Sequence, residues 1–444
     1  MNDRVIIAGT NSGCGKTTVT CAVLAALKAR GSKLAAFKCG PDYIDPMFHR
    51  EALGVPSENL DTFFCTREQL CAQLAANGRA LSVIEGVMGY YDGVGTEGDY
   101  SAYDVARQTN TPVILVVNAK GMHASAGALI SGFLHFRADS RLCGVIFNGI
   151  SPALYEKLQA VAREAGVIPL GFLPHDASLT IGRRSLGLIA AREISDIQAK
   201  LCALGELAER YIDLDCLLRL AARTSPLGVM RREIVPIAHA RIAVARDEAF
   251  CFLYEENLAL LKALGAKLVF FSPLRDTALP EHTQGLYLPG GYPELHAGAL
   301  SKNALMRAAV RRAIENGMPA IAECGGFLYL HDTLGGFPMA GVIHKNAYCT
   351  EKLVRFGYVT LRAKADSLLC RAGESVRAHE FHYYESDAPG ADFIAEKASN
   401  GTRYSCVHAS PTLYAGFPHL YFPAQPAMAE NFIRKAAAYR CLMQ

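Results

Sequence analysis

The 444 residues include 45 Lys and Arg against 42 Asp and Glu, a formal charge of +3, with 51% apolar and 20% charged side chains. Such a length exceeds one ordinary core and predicts two domains, while the composition excludes a disordered or low-complexity chain. The small, dispersed charge leaves no basic stripe for nucleic acid.

Met1-Asn2-Asp3-Arg4 leads straight into a strand-like run without a signal-peptide pattern. No apolar segment approaches the roughly 18 residues of a membrane span, so a cytoplasmic protein without a membrane partner is expected. Short aliphatic runs at 4–8, 33–38, 81–85, 112–118, 142–148 and 168–172 alternate with helical patterns, as in βαβ units around a buried parallel sheet. A second series runs through 241–245, 266–271, 285–288 and 319–323, with helical patterns over 247–264 and 304–316. The fold class is therefore α/β, in two α/β domains. Between them, Ser225-Pro226-Leu227-Gly228, Arg231-Arg232-Glu233 and Pro236 suit a connector, placing the boundary near residue 235 and the domains over 1–235 and 236–444. The fourteen cysteines are scattered, with no C-x-x-C pair, and read as small buried hydrophobes of a reducing compartment.

The first run ends in Gly9-Thr10-Asn11-Ser12-Gly13-Cys14-Gly15-Lys16-Thr17-Thr18 and enters a helical pattern over 19–28. Glycines there let backbone N–H groups turn toward phosphates, Lys16 adds positive charge, and Thr17 offers Mg²⁺ a hydroxyl. Gly9, Thr10, Asn11, Ser12, Gly13, Gly15, Lys16, Thr17 and Thr18 thus form the predicted ATP loop, a Gly-rich turn without ligand being the alternative. Five residues, one more than the standard four, separate Gly9 from Gly15.

Carboxylates follow two neighbouring runs, at the strand ends where open α/β sheets bind ligands. Lys38-Cys39-Gly40-Pro41-Asp42-Tyr43-Ile44-Asp45-Pro46 supplies Asp42 and Asp45; Glu85-Gly86-Val87-Met88-Gly89-Tyr90-Tyr91-Asp92-Gly93 supplies Glu85 and Asp92. These oxygens can hold Mg²⁺ or orient an acyl acceptor, although Asp42 and Asp92, beside Pro and Gly, equally suit turns. An acid directly after buried aliphatics, as Glu85 is, costs free energy unless it serves a metal or substrate.

In the second half, Ala320-Ile321-Ala322-Glu323-Cys324-Gly325-Gly326-Phe327-Leu328 reads as strand, Gly-flanked turn and helix. That is a nucleophile elbow: it exposes Cys324 at a sheet edge, the helix N-terminus favours thiolate, and Gly325 leaves room for a carbonyl. Gly290 and Gly291, within Leu288-Pro289-Gly290-Gly291-Tyr292-Pro293-Glu294, can offer N–H donors to an oxyanion. Among thirteen histidines, His419 in Gly416-Phe417-Pro418-His419-Leu420 is the candidate base, a satisfied core histidine being its alternative.

In order, and over nearly the whole chain, these motifs resemble those of the cobyrinic acid a,c-diamide synthase family. The long phosphate loop also looks like that of dethiobiotin synthetase, and Arg377-Ala378-His379-Glu380-Phe381-His382-Tyr383 is similar to a His-Glu-Phe-His-Tyr segment that sets the family apart from cobyric acid synthases. The resemblance implies a dethiobiotin-synthetase-like P-loop NTPase domain followed by a flavodoxin-like, triad-type class I glutamine amidotransferase domain. It further implies a carbon–nitrogen ligase of cobalamin biosynthesis that amidates the a- and c-acetates of cobyrinate through acyl phosphates, with ATP, Mg²⁺ and glutamine.

On that scheme Cys324 and His419 form the glutaminase pair, and Asp45, Glu85 and Asp92 serve synthesis. Thr17, Glu85 and Asp45 are the expected metal ligands, and Asp42, Tyr43, His379, Glu380 and His382 the expected substrate side. Asn118 and Asn148 resemble base-contacting positions of dethiobiotin synthetase relatives, with turn-capping as an equal alternative. The usual triad enzyme has a Glu two residues beyond its His; Tyr421 stands there instead, as in the diamide synthases, so a Cys–His pair is expected. Nickel sirohydrochlorin or hydrogenobyrinic acid are alternative tetrapyrroles, a partner-binding P-loop switch ATPase is the alternative of another class, and a homodimer is left open.

Overall fold

The computed structural model describes residues 3–76, 81–176, 191–228 and 234–439. These fall into two compact units, one up to residue 228 and one from residue 234. The expected connector segment Arg231-Arg232-Glu233 lies outside the described residues.

In the first unit, β1 (Arg4–Gly9), β2 (Leu34–Cys39), β3 (Ser57–Leu60), β4 (Leu81–Glu85), β5 (Val113–Asn118), β6 (Leu142–Asn148) and β7 (Ile168–Leu173) form one sheet, ordered β3-β2-β4-β1-β5-β6-β7. Every pairing is parallel. Its helices are α1 (Lys16–Ala29), α2 (Ile44–Glu51), α3 (Arg67–Ala76), α4 (Ala102–Thr109), α5 (Ser125–His135), α6 (Pro152–Glu164), α7 (Ala191–Tyr211) and α8 (Leu214–Ala221). Val5, Ile6, Ile7 and Ala8 are fully buried, as a strand covered on both faces requires. Ser101, Ser151 and Asp213 each accept a first-turn N–H and so start α4, α6 and α8.

The sheet order also locates the ligand edge. From β1 the chain travels to β2 on one side and later reaches β5 on the other, so the carboxyl end of β1 is the topological switch point. The short edge strand β3 was not expected, because Ser57-Glu58-Asn59-Leu60 has no aliphatic run.

In the second unit, β8 (Ala240–Ala245), β9 (Ala266–Phe271), β10 (Gly285–Leu288) and β11 (Ala320–Glu323) occupy the predicted runs. They are joined by α9 (Glu255–Ala263), α10 (Ala297–Lys302) and α11 (Ala304–Glu315), and α12 (Gly325–Tyr329) follows β11. The helix expected over 247–264 starts only at Glu255, because Asp247 Oδ1 accepts the N–H groups of Ala249 and Phe250 and makes a turn instead.

Beyond α12 come strands that short, weakly apolar runs did not announce: β12 (His331–Leu334), β13 (Phe337–Pro338), β14 (Ile343–Cys349), β15 (Arg355–Ala363), β16 (Ser375–His382), β17 (Tyr384–Ser386), β18 (Phe393–Lys397) and β19 (Arg403–Cys406). Then follow β20 (His408–Ala409), β21 (Leu413–Gly416), β22 (His419–Leu420) and the last helix, α13 (Ala427–Ala438). The central sheet runs β20-β21-β11-β10-β8-β9, beside a sheet β13-β12-β14-β17 and another β19-β18-β15-β16-β22. Alternation along the central strands feeds two cores: Val244, Tyr287 and Ile321 enter one, and Ala243, Leu286 and Ala322 the other. No helix among the described residues is long and apolar enough to cross a membrane.

Candidate active sites

The loop after β1 is shaped by what its glycines exclude. Gly15 has φ +99°, and a Cβ there would lie 2.0 Å from Asn148 Nδ2, so both conformation and space require glycine. Asn148 Nδ2 donates to Cys14 O at 3.0 Å, fastening the loop to the end of β6. Asn118, by contrast, accepts the Lys120 N–H at 3.3 Å and caps a turn. Around the loop, Thr10 donates to Asn11, while Ser12 and Gly13 are exposed at the crown and Thr18 sits in the first turn of α1. Lys16 Nζ bonds to Asn11 O at 3.0 Å, and burial lowers its pKa, with Lys38 adding to the effect.

Behind the loop lies a buried charge cluster. The β2–β4 register sets Lys38 opposite Glu85, and Lys38 Nζ stands 3.0 Å from Glu85 Oε1 and 2.5 Å from Asp45 Oδ2. Thr17 Oγ1 donates to Glu85 Oε1 at 2.6 Å. His49, four residues beyond Asp45 on α2, sets its Nε2 3.3 Å from Glu85 Oε2, with Ser57 Oγ 3.2 Å from its Nδ1. Burial alone would raise the Glu85 carboxyl, but Lys38, His49 and Thr17 outweigh it and hold Glu85 well below the usual range. Burial and Glu85 push Asp45 up to about 8, against the pull of Lys38. Thr17 and Glu85 form an all-oxygen pair beside the phosphate loop, a donor set that fits Mg²⁺.

Asp42 and Asp92 both accept backbone N–H groups. Asp42 Oδ1 accepts the N–H groups of Ile44 and Asp45 at 2.7 and 3.3 Å, capping α2 just before half-buried Tyr43. Asp92 is exposed, and its Oδ2 accepts the Gly89 N–H at 2.9 Å. Its loop nevertheless lies against the phosphate loop, since Tyr90 N–H donates to Gly9 O at 2.8 Å.

In the second unit, Cys324 adopts φ 45°, ψ −101° at the end of β11, a conformation that costs a non-glycine residue roughly 1–3 kcal/mol. Its N–H donates to Gly416 O at 2.8 Å. A Cβ on Gly325 would meet Pro293 Cδ at 2.8 Å and Gly291 N at 2.9 Å, so the elbow rests on the Gly290–Pro293 segment. A Cβ on Gly290 would lie 2.4 Å from His419 Cε1, so His419 packs against the Gly290–Gly291 turn. Burial, with His379 and His382 nearby, lowers the His419 imidazole to about 3, leaving it neutral.

Burial pushes the Cys324 thiol well above its ordinary range and Glu294 and Glu323 push it further, outweighing the Gly325 N–H at the start of α12, which favours the thiolate. His379 is paired with His419 across β16 and β22. His382 stacks on Phe417, with centroids 3.8 Å apart and an interplanar angle of 4°, and donates Nδ1–H to Tyr384 O at 2.6 Å. The carboxyl of Glu380, 1% exposed, is held by the Tyr404 hydroxyl and is thus used inside the sheet.

Residues 5–185 match the CobQ/CobB/MinD/ParA nucleotide binding domain, and residues 241–427 the CobB/CobQ-like glutamine amidotransferase domain. Among relatives, the cobyrinate a,c-diamide synthase of Thermoplasma volcanium is 37% identical, over 98% of both chains. The proteins of the same name from Caldanaerobacter subterraneus subsp. tengcongensis and Listeria innocua are each 36% identical, covering 98% and 96% of this chain and 98% of their own. The chain belongs to the cobyrinate a,c-diamide synthase family. It has the fold class of that family, a P-loop NTPase domain followed by a glutamine amidotransferase domain.

Within this diamide synthase family member, three features of the sites escaped sequence reading. Lys38 was visible only as the first residue of a motif, although a lysine ending a buried strand must meet a counter-charge. His49 could have been found from its i+4 spacing to Asp45. The role of Glu323, hidden in the strand before the nucleophile, emerges only from its buried partners.

Proposed function

We propose that this chain is a cobyrinate a,c-diamide synthase, with residues 1–235 forming the ATP-dependent synthetase domain and 236–444 the glutaminase domain. The observation that carries this reading is the presence, on one chain, of a phosphate loop backed by the Thr17–Glu85–Lys38 cluster and of a strained cysteine whose following Gly325 packs on the Gly290–Pro293 segment that also meets His419. The names of the full-length relatives agree with it.

A carboxylate is a poor electrophile with a poor leaving group, so amidation requires activation. Thr17 and Glu85, with Asp45, would hold Mg²⁺, whose charge supports phosphoryl transfer from ATP. Lys16 stabilises negative charge on the phosphates while an acetate oxygen of the substrate attacks the γ-phosphorus. The bond to ADP breaks, and an acyl phosphate forms. Lys38 keeps Glu85 and Asp45 in place, Asp92 orders the adjoining loop, and Asp42 and Tyr43 set the start of α2 on the substrate side.

In the glutaminase, Cys324 Sγ passes its proton to His419 as it bonds to the amide carbon of glutamine. N–H groups of Gly290, Gly291 and Gly325 face the oxyanion. His419 returns the proton to the departing nitrogen, ammonia leaves, and water hydrolyses the thioester to glutamate. Ammonia then attacks the acyl phosphate, a C–N bond forms, phosphate departs, and a second round converts the other acetate. His379 and His382 would tune this half of the enzyme from beside His419.

Mass spectrometry after incubation with ATP, Mg²⁺ and glutamine tests the proposal, using cobyrinic acid, hydrogenobyrinic acid and nickel sirohydrochlorin in parallel. Two amide additions to cobyrinic acid are expected. Diamidation of another tetrapyrrole alone would keep the ligase and change its substrate.

A further inference from the structure

We infer that Glu323, the residue before the nucleophile, positions the glutaminase base by clamping the main chain that carries it. This rests on the Cys324–His419 reading above. The strand bearing His419 is only two residues long and pairs with β16 solely through Ala378↔Leu420 and His379↔His419. Two residue pairs are a short hold, and Tyr421 stands two positions beyond His419.

The fixing groups come from behind. Glu323 Oε1 accepts the Leu420 N–H at 3.1 Å. Asn257, on α9, donates Nδ2–H to Leu420 O at 2.8 Å and accepts the Phe422 N–H on Oδ1 at 2.8 Å. Tyr287 joins the two, donating its hydroxyl to Glu323 Oε2 at 3.1 Å and lying 3.5 Å from Asn257 Nδ2. Glu323, Tyr287 and Asn257 are 1%, 1% and 0% exposed.

Both amide groups of Leu420, and the N–H two residues later, are thereby held by side chains anchored in the central sheet and α9. A buried carboxyl without a cation is costly, and satisfied buried networks fix a unique geometry. Burial raises Glu323 to about 8, while the Leu420 N–H on one oxygen and the Tyr287 hydroxyl on the other work against that rise. Because Glu323 adjoins Cys324 and Leu420 adjoins His419, one hydrogen bond couples the positions of nucleophile and base. Glu323 touches neither reacting atom and is a positioning residue.

The test compares Glu323→Gln, Glu323→Ala and Asn257→Ala in the full chain, measuring glutamine hydrolysis and ammonium-supported amidation. Glu323→Gln keeps the acceptor for the Leu420 N–H and turns an amide N–H toward the Tyr287 oxygen, which can accept it, so kcat stays within about threefold, whereas Glu323→Ala lowers kcat roughly 30- to 100-fold. KM for glutamine and ammonium-supported synthesis stay within about threefold in both. Equal losses in the Gln and Ala variants, or an Ala variant within about threefold of the parent, would overturn the inference. If Glu323→Ala also loses ammonium-supported synthesis, its fold is damaged and Asn257→Ala decides: a drop in kcat alone supports the clamp, and an unchanged kcat overturns it. A parent enzyme that does not hydrolyse glutamine, or a Cys324→Ser variant that does, would instead refute the underlying glutaminase reading.

Discussion

Thr17 Oγ1 donates to Glu85 Oε1 at 2.6 Å, although 68 positions separate the two residues in the chain. Two adjacent strand ends make that contact: β1 delivers the phosphate loop, β4 delivers Glu85, and the pairing of Ile7 with Glu85 fixes the register between them. The same Glu85 oxygen also meets Lys38. One carboxylate therefore serves both the Thr17 hydroxyl and the buried ammonium.

Glu85→Gln should consequently fail in two ways. Losing one partner of a buried pair costs about 3–5 kcal/mol, which lowers the midpoint of thermal unfolding. On the proposed role of Glu85 in holding Mg²⁺, its loss should reduce ATP-dependent amidation at least about 100-fold with either glutamine or ammonium. Calorimetry and product assays check the two effects, and glutamine hydrolysis should persist below the melting temperature.

Gly15→Ala should weaken nucleotide binding without disturbing Cys324. The new Cβ meets φ +99° and the Asn148 amide together. A strained position of this kind costs roughly 1–3 kcal/mol, so titration calorimetry should show ATP affinity falling by about 5- to 150-fold. Unaltered affinity would mean that the loop rearranges to bind ATP.

The raised thiol gives a pH prediction. Below its folded pKa the thiolate fraction grows about tenfold per pH unit, so alkylation of Cys324 by iodoacetamide, without glutamine, should climb throughout pH 7 to 9. His419, lowered to about 3, remains neutral across that window and contributes no acid limb above pH 5. Peptide-resolved mass spectrometry separates Cys324 from the other cysteines. A plateau near pH 7 would contradict the buried, carboxylate-flanked thiol described above.

What could be read in the sequence were features carried by single residues in contiguous motifs. Glycines at positive φ, a lysine after them, and a cysteine between a strand and two glycines each constrain their own turn, so the phosphate loop and the elbow were legible. The parallel strands were too, since burial on both faces demands unbroken aliphatic runs. Register-dependent chemistry was not. Nothing local in Lys38 or His49 says that both point at Glu85, because that follows from β2–β4 pairing and from one turn of α2. The turn bonds of Asp42 and Asp92, an alternative open in the sequence, become visible only in space. Late strands such as β14 and β15 are partly exposed along their length, so their mixed composition hid them.

Asp92 provides a contrast with Glu85. Because it is exposed and its visible bond is to the Gly89 N–H, Asp92→Asn keeps the acceptor and should lower amidation by less than about fivefold, whereas Asp92→Ala releases the loop beside the phosphates and should do more harm. Steady-state kinetics with ammonium as nitrogen source checks this. A loss of about 100-fold in the Asn variant would instead assign the charge itself a role in catalysis.

Cys324→Ser and Lys16→Ala should divide the overall reaction between the two units. The serine variant lacks the nucleophile, so glutamine ceases to support amidation while free ammonium, which needs only the phosphate-loop unit, still does. The alanine variant loses the charge that faces the phosphates, so amidation should fall by at least about 100-fold with either nitrogen source while Cys324 continues to hydrolyse glutamine. Assaying glutamate release and tetrapyrrole amidation on the same samples distinguishes these outcomes. Simultaneous loss of both activities in the serine variant would mean that ammonia production and carboxylate activation are not separable, and would remove the basis for assigning one chemistry to each unit.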